Sequence, residues 1–344
     1  MQTARKEADS PRASAGMIFI AFAILYIVWG STYFFIAMGI KTIPPLLMGA
    51  MRFIAAGVLM MVWCLINKEN LFNWKQIKHS AVTGFFLLFI GTGAVIWAEQ
   101  SMASSLVAVL IASQAIWMVL IDKRNWRANF TNRNTVIGLI IGFVGVLMLF
   151  RDSATKAVAT AGGLASIIGF LILLVGMFSW TGASIYSKYT SKGSSTVNSA
   201  WQMFAAGVFF IPASLINNEW SSFSWSAVTN ESWLAVLYLI TMGSLAGFSA
   251  YVFLLRVKPV AQVSTHVYVN PVVAVLLGVF FAGEKMTGLQ IAGLTIILTS
   301  VLLINLSKYR KTVKTVTIVE PKEEVIKPEI KLTVGSKAVA SAEC

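Results

Sequence analysis

The sequence predicts an all-α integral membrane protein with ten transmembrane helices, arranged as two inverted five-helix repeats. Long apolar runs recur along the chain, Lys and Arg concentrate in alternate loops, and matching residues recur in the two halves. Hydrophobic residues make up 57% of the 344 residues and charged residues 12%, and the mean hydropathy is +0.76. Soluble domains are roughly 45–50% apolar and about 25% charged, so a soluble fold is excluded.

The spans are predicted from the length of each apolar run and from the charged residues and turn-forming Gly, Pro and Asn residues that bound it. A hydrocarbon core about 30 Å thick needs about 20 helical residues. The first run exceeds the ~7–15-residue core of a cleavable signal, so we expect it to be retained as a span. The ten predicted spans are 17–38, 46–66, 80–98, 103–121, 134–150, 163–186, 197–216, 233–255, 260–282 and 288–306.

Positive charges predict the orientation, because Lys and Arg in short loops resist translocation. Most of the 27 basic residues fall in the loops on one side, together with both termini. We therefore expect both termini to be cytoplasmic in a multi-pass protein of the cell (inner) membrane. The predicted organisation is a cytoplasmic N-terminal tail (1–16), a first five-helix repeat (17–150), an extracytoplasmic linker (151–162), a second repeat (163–306) and a disordered cytoplasmic tail (307–344).

Residues that match at a nearly constant offset predict the internal repeat. The matched pairs are AAGV at 55–58 and 205–208, Trp29 and Trp180, Gln114 and Asn270, and Gly138 and Gly293. They align spans one to five with spans six to ten in order. Because five is odd, the second copy enters the membrane from the opposite side. Many secondary transporters use such inverted repeats to alternate access to a midplane site.

Ionisable side chains inside the predicted spans are candidate functional residues, because a charge at mid-bilayer costs about 2.5–3.5 kcal/mol. Arg52 could bind an anionic substrate group or form a gating ion pair; we favour a side chain that reaches the headgroups or caps a helix. Glu99, at the end of the third span, could attract cations, carry a proton or be an inert helix-end residue. His266 has an ordinary pKa of about 6.5 that suits proton coupling, with a neutral histidine bonded to another helix as the commoner alternative.

The repeat also places two amides, Gln114 and Asn270, at matching positions of the fourth and ninth spans. Pro271 removes the backbone donor that follows Asn270 and frees a carbonyl in the preceding turn. Polar backbone inside a bilayer normally lines a cavity or contacts another helix. The aromatic residues that could face the same cavity are Trp29, Trp180 and Tyr268, and aromatic packing between closely spaced helices is the alternative for each.

The sequence contains no catalytic, metal-binding or nucleotide-binding constellation. Two histidines and two cysteines provide no spaced ligand set. No P-loop or GxGxxG follows a strand, so ATP-driven pumping is unsupported. The formal net charge is +13, but the basic residues lie between apolar runs and do not form a basic face on a soluble module. Nucleic acid is therefore not a predicted partner. We predict no cofactor, no metal and no enzymatic activity.

Four motifs carry a family resemblance: WGSTYFFI at 29–36, PPLLMGAMRFIAAG at 44–57, WAEQ at 97–100, and YVNPVVAVLLG at 268–278 followed by Gly283 and Glu284. Through them, residues 17 to 306 resemble the EamA-type permeases of the drug/metabolite transporter superfamily, particularly the YedA-like branch. The resemblance implies a ten-helix carrier with cytoplasmic termini that exports metabolites, amino acids or xenobiotics. It also implies a cavity lined by helices one, three, four, six, eight and nine, with Trp29, Glu99, Gln114, Trp180, Tyr268 and Asn270 near the path.

Together these observations predict a secondary transporter that exports small organic molecules by alternating access. Its expected partners are a small-molecule substrate and the lipid bilayer. The alternatives are a membrane channel or a non-transporting sensor, with an intramembrane enzyme less favoured because the spans hold no catalytic cluster. Substrate, direction, coupling ion and oligomeric state are left open by the sequence.

Overall fold

The computed structural model describes residues 14–101, 104–160, 164–282 and 286–306, and every regular element in these ranges is a helix. Helices of the first repeat are α1 (Ala15–Gly39), α2 (Pro45–Ile66), α3 (Trp74–Thr83, Gly84–Thr92 and Gly93–Ser101), α4 (Ser104–Ala112 and Gln114–Ile121) and α5 (Arg133–Thr160). Those of the second are α6 (Leu164–Thr190), α7 (Ser195–Ile216), α8 (Asn230–Tyr238, Leu239–Phe248 and Ser249–Val257), α9 (Val260–Val263 and His266–Ala282) and α10 (Gly288–Leu306).

This architecture confirms the predicted fold class. Nine helices within the described ranges are long and apolar enough to cross a membrane. The remaining predicted span, 103–121, forms the two shorter helices of α4, whose apolar part is Val109–Ile121. Because α4 is interrupted at Ser113, neither of its two helices is long enough by itself to cross the membrane. Short helices in the connecting loops are Lys123–Asn125, Trp126–Phe130, Glu219–Ser222 and Trp225–Ala227.

Two predicted boundaries differ from the structure by more than four residues. The third span was expected to begin at 80, but α3 begins at Trp74, where the Asn73 side chain caps the helix by accepting bonds from the backbone of Lys75 and Gln76. The fifth was expected to end at 150, but α5 continues to Thr160.

The continuation of α5 has a simple cause. Hydropathy falls after residue 151, which ends the apolar segment but does not end helical hydrogen bonding. Alanines and a lysine in 152–160 favour helix in a polar environment. Most of the predicted linker is therefore helical, while its extracytoplasmic location stays a prediction. The predicted tails fall outside the described residues, except for residues 14–16 of the N-terminal one.

The two repeats meet through α2 and α7 in a reciprocal contact. A Cβ at Gly57 would lie 2.6 Å from the backbone nitrogen of Phe204, and a Cβ at Gly207 would lie 2.6 Å from that of Ile54. Gly57 and Gly207 are repeat-related, as are Ile54 and Phe204, each pair being separated by 150 positions. The same contact is therefore made twice with the roles of the repeats exchanged, as a two-fold relation requires.

Helices α5 and α10 repeat this arrangement. A Cβ at Gly138 would lie 3.1 Å from the Ser300 carbonyl oxygen, and a Cβ at Gly293 would lie 2.8 Å from the Gly145 carbonyl oxygen. These two contacts are also exchanged by the repeat. Small residues let helices approach closely where lipid supplies no hydrophobic driving force for association.

Each repeat also contains one long π-helical segment in its third helix. The segments are Gly84–Thr92 in α3 and Leu239–Phe248 in α8, and they begin 155 positions apart. A π-helix has i→i+5 hydrogen bonds and often marks a functional site. The residue pattern did not predict these segments. Both supply residues to the cavity described below.

Candidate functional site: a polar cavity between the repeats

A cavity of about 130 Å³ lies among seven helices, α1, α2, α3, α4, α6, α8 and α9. Six of the eight residues predicted from the sequence line it: Trp29, Arg52, Gln114, Trp180, His266 and Asn270. The family resemblance implied six of these helices, and the structure adds α2 through Arg52 and Phe53. Residues far apart in sequence thus meet at one place.

The other two predicted residues do not join the described lining. Tyr268 is fully buried and its hydroxyl donates to the Leu139 carbonyl oxygen at 2.8 Å, so it packs against α5. Gly142 accommodates its ring, since a Cβ there would lie 2.6 Å from Tyr268 Cε2. Tyr268 therefore follows the packing alternative. Glu99 belongs to α3, but its side chain lies outside the described residues, as does the turn that contains Glu284.

Arg52 is buried, with 8% of its side chain exposed, and does not extend toward a helix end as we had favoured. Its Nε donates to Ser244 Oγ at 2.8 Å, and its guanidinium carbon lies 4.9 Å from the centroid of the Phe53 ring. Gly243 leaves room for this group, because a Cβ there would lie 3.0 Å from Arg52 Nη2. Partners on α8 therefore hold the cation inside the protein.

The paired amides each present an unpartnered polar atom. Gln114 and Asn270 are 5% exposed and both line the cavity. Within the described part of the chain, Gln114 Nε2 and Asn270 Oδ1 have no hydrogen-bond partner. A buried unsatisfied polar group costs about 1–3 kcal/mol. The pair thus offers one donor and one acceptor to a bound molecule.

The fourth helix of each repeat is interrupted immediately before a cavity residue. Helix α4 breaks at Ser113, just before Gln114, and α9 breaks at Ser264 and Thr265, just before His266. Hydroxyls of these residues donate to nearby backbone carbonyls, as Ser113 does to Leu110 at 2.7 Å. Discontinuous helices commonly form the binding sites of secondary transporters.

His266 is 3% exposed, and its Nδ1 donates to the Val263 carbonyl oxygen at 2.8 Å. The bond stays within its own helix, which differs from the interhelical bond considered in the sequence analysis. The ring lies edge-on to Trp29 and Tyr251, with centroid distances of 5.2 and 5.4 Å. With Nδ1 as the donor, Nε2 is the nitrogen that can accept a proton or a hydrogen bond.

Trp29 and Trp180 occupy equivalent positions on α1 and α6. Their rings lie edge to face, 5.7 Å apart. Each packs on a glycine of a π-helical segment: a Cβ at Gly247 would lie 2.6 Å from Trp29 Nε1, and one at Gly91 would lie 2.9 Å from Trp180 Cε3. This pair of contacts obeys the same two-fold relation as the helix crossings.

Tyr251 is a residue that the sequence reasoning missed. It is fully buried, and its hydroxyl oxygen lies 2.6 Å from Ser184 Oγ. The Tyr251 hydroxyl also accepts a hydrogen bond from Trp180 Nε1 at 3.1 Å. With Trp29, Trp180 and His266 it forms a four-ring cluster beside the cavity. A tyrosine within an otherwise apolar run was the available signal.

Polar contacts join helices on the side of the cavity nearer the start of α1. Tyr26 Oη and Thr265 Oγ1 are 2.6 Å apart, and Lys188 Nζ donates to the Lys258 carbonyl oxygen at 2.6 Å. The cavity instead follows the half of α1 nearer Gly39 and the first turns of α2. It is therefore displaced toward the opposite end of the bundle.

Comparison with known proteins identifies the family. The model of the EamA-like transporter family matches residues 15–151 and 167–306, which are the two repeats. The chain belongs to this family. It is 34% identical over 296 residues to the "Uncharacterized inner membrane transporter YedA" of Escherichia coli (strain K12), covering 85% of this chain and 92% of that one.

More distant relatives agree with this assignment. The "Probable amino-acid metabolite efflux pump" of Escherichia coli (strain K12) is 23% identical over 302 residues, covering 85% of this chain and 96% of the relative. A solved structure described only as "Crystal structure of protein" superposes with a TM-score of 0.69 at 16% identity, covering 86% of this chain and 99% of that one, and shows the same fold. The protein is a multi-pass membrane transporter of the EamA family.

Proposed function

We propose that this EamA-family protein is a secondary carrier that exports small organic molecules by alternating access. The observation that carries the proposal is the cavity between inverted repeats, in which Gln114 and Asn270 present a donor and an acceptor without partners in the described residues. Binding a molecule there would satisfy both groups. Exchanging the conformations of the two repeats would move the opening from one side to the other.

The proposed topology has both termini in the cytoplasm. In that orientation, both contacts lie on the cytoplasmic side of the cavity, Tyr26–Thr265 near the middle of α1 and Lys188–Lys258 near the end of α6. The cavity is then displaced toward the outer half of the membrane. This arrangement fits a conformation in which the site is separated from the cytoplasm and a substrate would be released outward.

The experiment that tests the carrier function is counterflow in proteoliposomes containing the purified protein. Labelled amino acids and cationic dyes are compared with and without a protonophore. Saturable uptake against preloaded unlabelled compound supports a carrier. Non-saturating flux would indicate a channel, and absence of flux for every compound would contradict transport of these classes.

Asn270→Ala is expected to reduce the transport efficiency by about tenfold, equivalent to roughly 1.4 kcal/mol, because it removes an acceptor from the cavity. Abundance in the membrane should be unchanged, since Asn270 Oδ1 has no described partner to lose. The control is Asn67→Ala, whose side-chain amide is exposed at the end of α2 and donates to the Trp63 carbonyl oxygen. Equal flux in the two variants would contradict a substrate-binding role for Asn270.

Coupling of transport to protons through His266 stays a prediction. His266→Gln is expected to flatten the pH dependence of flux, because glutamine keeps hydrogen-bonding capacity but cannot take up a proton. The measurement is the initial counterflow rate between pH 5 and 8, the range in which an ordinary histidine titrates. A variant profile that follows that of the unmodified protein would exclude His266 and direct attention to Glu99.

A further inference from the structure

The described lining of the cavity carries a net positive charge. Arg52 is the charged side chain in its described lining, which contains neither Asp nor Glu. Arginine remains protonated in proteins, so this positive charge persists at every physiological pH. Burying an ion without a counterion costs several kcal/mol. The site is therefore poised to gain an anion.

The guanidinium also has unused donors. Arginine carries five N–H groups in a planar fork, and in the described part of the chain Arg52 makes one hydrogen bond, from Nε to Ser244 Oγ. The N–H groups of Nη1 and Nη2 remain. Such groups match the two oxygens of a carboxylate in short, charge-assisted bonds. Ser244 and the Phe53 ring hold the group in place for this contact.

The remaining lining favours an organic body for the bound molecule. Trp29, Trp180 and Phe53 contribute aromatic rings, whereas Gln114 and Asn270 contribute the unpartnered donor and acceptor. A single fixed positive charge balances a monoanion. A phosphate dianion would leave excess negative charge in a low-dielectric site, and a cationic ligand would be repelled by the buried Arg52.

We infer that the cavity binds the carboxylate of a small organic acid through the Arg52 guanidinium, with the organic body against the neighbouring rings. This inference rests on the proposed carrier function, for which it names the substrate class. It assigns Arg52 a direct contact with the substrate in place of a purely structural role.

The test uses the purified full-length protein and three probes of similar shape: phenylacetate, phenylacetamide and phenethylamine. Equilibrium dialysis with labelled phenylacetate, followed by competition with the other two and with inorganic phosphate, gives relative dissociation constants. We expect phenylacetate to bind at least about tenfold more tightly than the neutral amide, and the amine and phosphate to compete more weakly still.

Arg52→Gln is expected to abolish the preference for phenylacetate over phenylacetamide. The control, Arg256→Gln, removes an arginine whose Nη1 bonds Gly193 and Ser195 outside the cavity, and should retain the preference. Should Arg52→Gln fail to fold, Gly243→Ala provides a second variant. Its new Cβ would lie 3.0 Å from Arg52 Nη2, so it displaces the guanidinium without removing its charge and should weaken phenylacetate binding selectively.

Equal affinities for the acid and the amide, tighter binding of the amine, equal competition by phosphate, or a preference that survives in Arg52→Gln would each overturn the inference. Counterflow of the same probes separates it from the carrier function. A carboxylate preference in binding without counterflow would retain the anion site and contradict the carrier. Saturable counterflow of the amide or amine without that preference would retain the carrier and contradict the anion site.

Discussion

Cysteines introduced at Arg52 and Gln202 are expected to react with a membrane-impermeant thiol reagent from opposite faces of the membrane. These positions are repeat-related, separated by 150 residues, on α2 and α7. Arg52 lines the cavity, whereas Gln202 is fully buried outside the described lining. Both polar atoms of the Gln202 side chain lack partners within the described residues. If the repeats exchange conformations, Gln202 takes the place at a cavity that Arg52 holds here.

The burial of the Gln202 amide supports this expectation. Each buried unsatisfied polar atom costs about 1–3 kcal/mol, so the conformation described here is unfavourable for Gln202. Opening the other end of the bundle would hydrate the amide and recover that free energy. Alternating access therefore explains a glutamine that packing alone does not.

The measurement compares right-side-out and inside-out vesicles in a background with Cys64→Ala and Cys344→Ser. Ala206→Cys serves as the control, because Ala206 and its repeat counterpart Ala56 are both fully buried and absent from the cavity lining. It should remain unreactive from either face. Reaction of positions 52 and 202 from the same face, or a position 202 that never reacts, would contradict exchange between the repeats.

Gly57→Ala is expected to destabilise the protein strongly through the α2–α7 crossing. The added Cβ would lie 2.6 Å from the Phe204 nitrogen and 2.7 Å from its Cα, and backbone atoms cannot rotate away. The two helices must separate, and overpacking of this kind typically costs about 1–3 kcal/mol or more. The repeat-related Gly207→Ala should have a similar effect, because it meets the Ile54 backbone in the same way.

Gly182→Ala is the matched control, since no side chain or neighbouring helix in the described part of the chain comes within 4 Å of the position its Cβ would take. Both substitutions gain about 1 kcal/mol of helix propensity, so their difference isolates the steric term. Thermal melting in detergent, followed by size-exclusion profiles, measures the effect. A Gly57→Ala protein that melts at the temperature of Gly182→Ala would show that the crossing tolerates a side chain.

Much of the architecture was predictable because it depends on local or additive properties. Run length and hydropathy located the spans, since a helix in lipid must be apolar over about 20 residues. Ordered matches such as Trp29 with Trp180 revealed the repeat, and an odd number of spans per repeat made it inverted. Gln114 and Asn270, which the repeat pairs, both line the cavity.

Side-chain partners were less predictable because they depend on how each helix is rotated against its neighbours. Nothing in the run around Arg52 shows that Ser244 and Phe53 hold it inside the protein. Tyr268 and Trp29 lie in similar apolar contexts, yet one packs against α5 and the other lines the cavity. Helix α5 continues past its apolar segment because backbone hydrogen bonding continues there. Hydropathy does not report that bonding.

The sequence by itself determined the membrane class, the number and order of the helices and the inverted repeat, because these follow from composition and periodicity along one chain. Only the tertiary structure decided which polar groups share the cavity, where the π-helical segments lie and which glycines form the crossings. The cavity and the crossings arise from contacts between residues far apart in sequence, such as Gly57 with Phe204 and Arg52 with Ser244, and the geometry of packing determines whether a buried polar group has a partner.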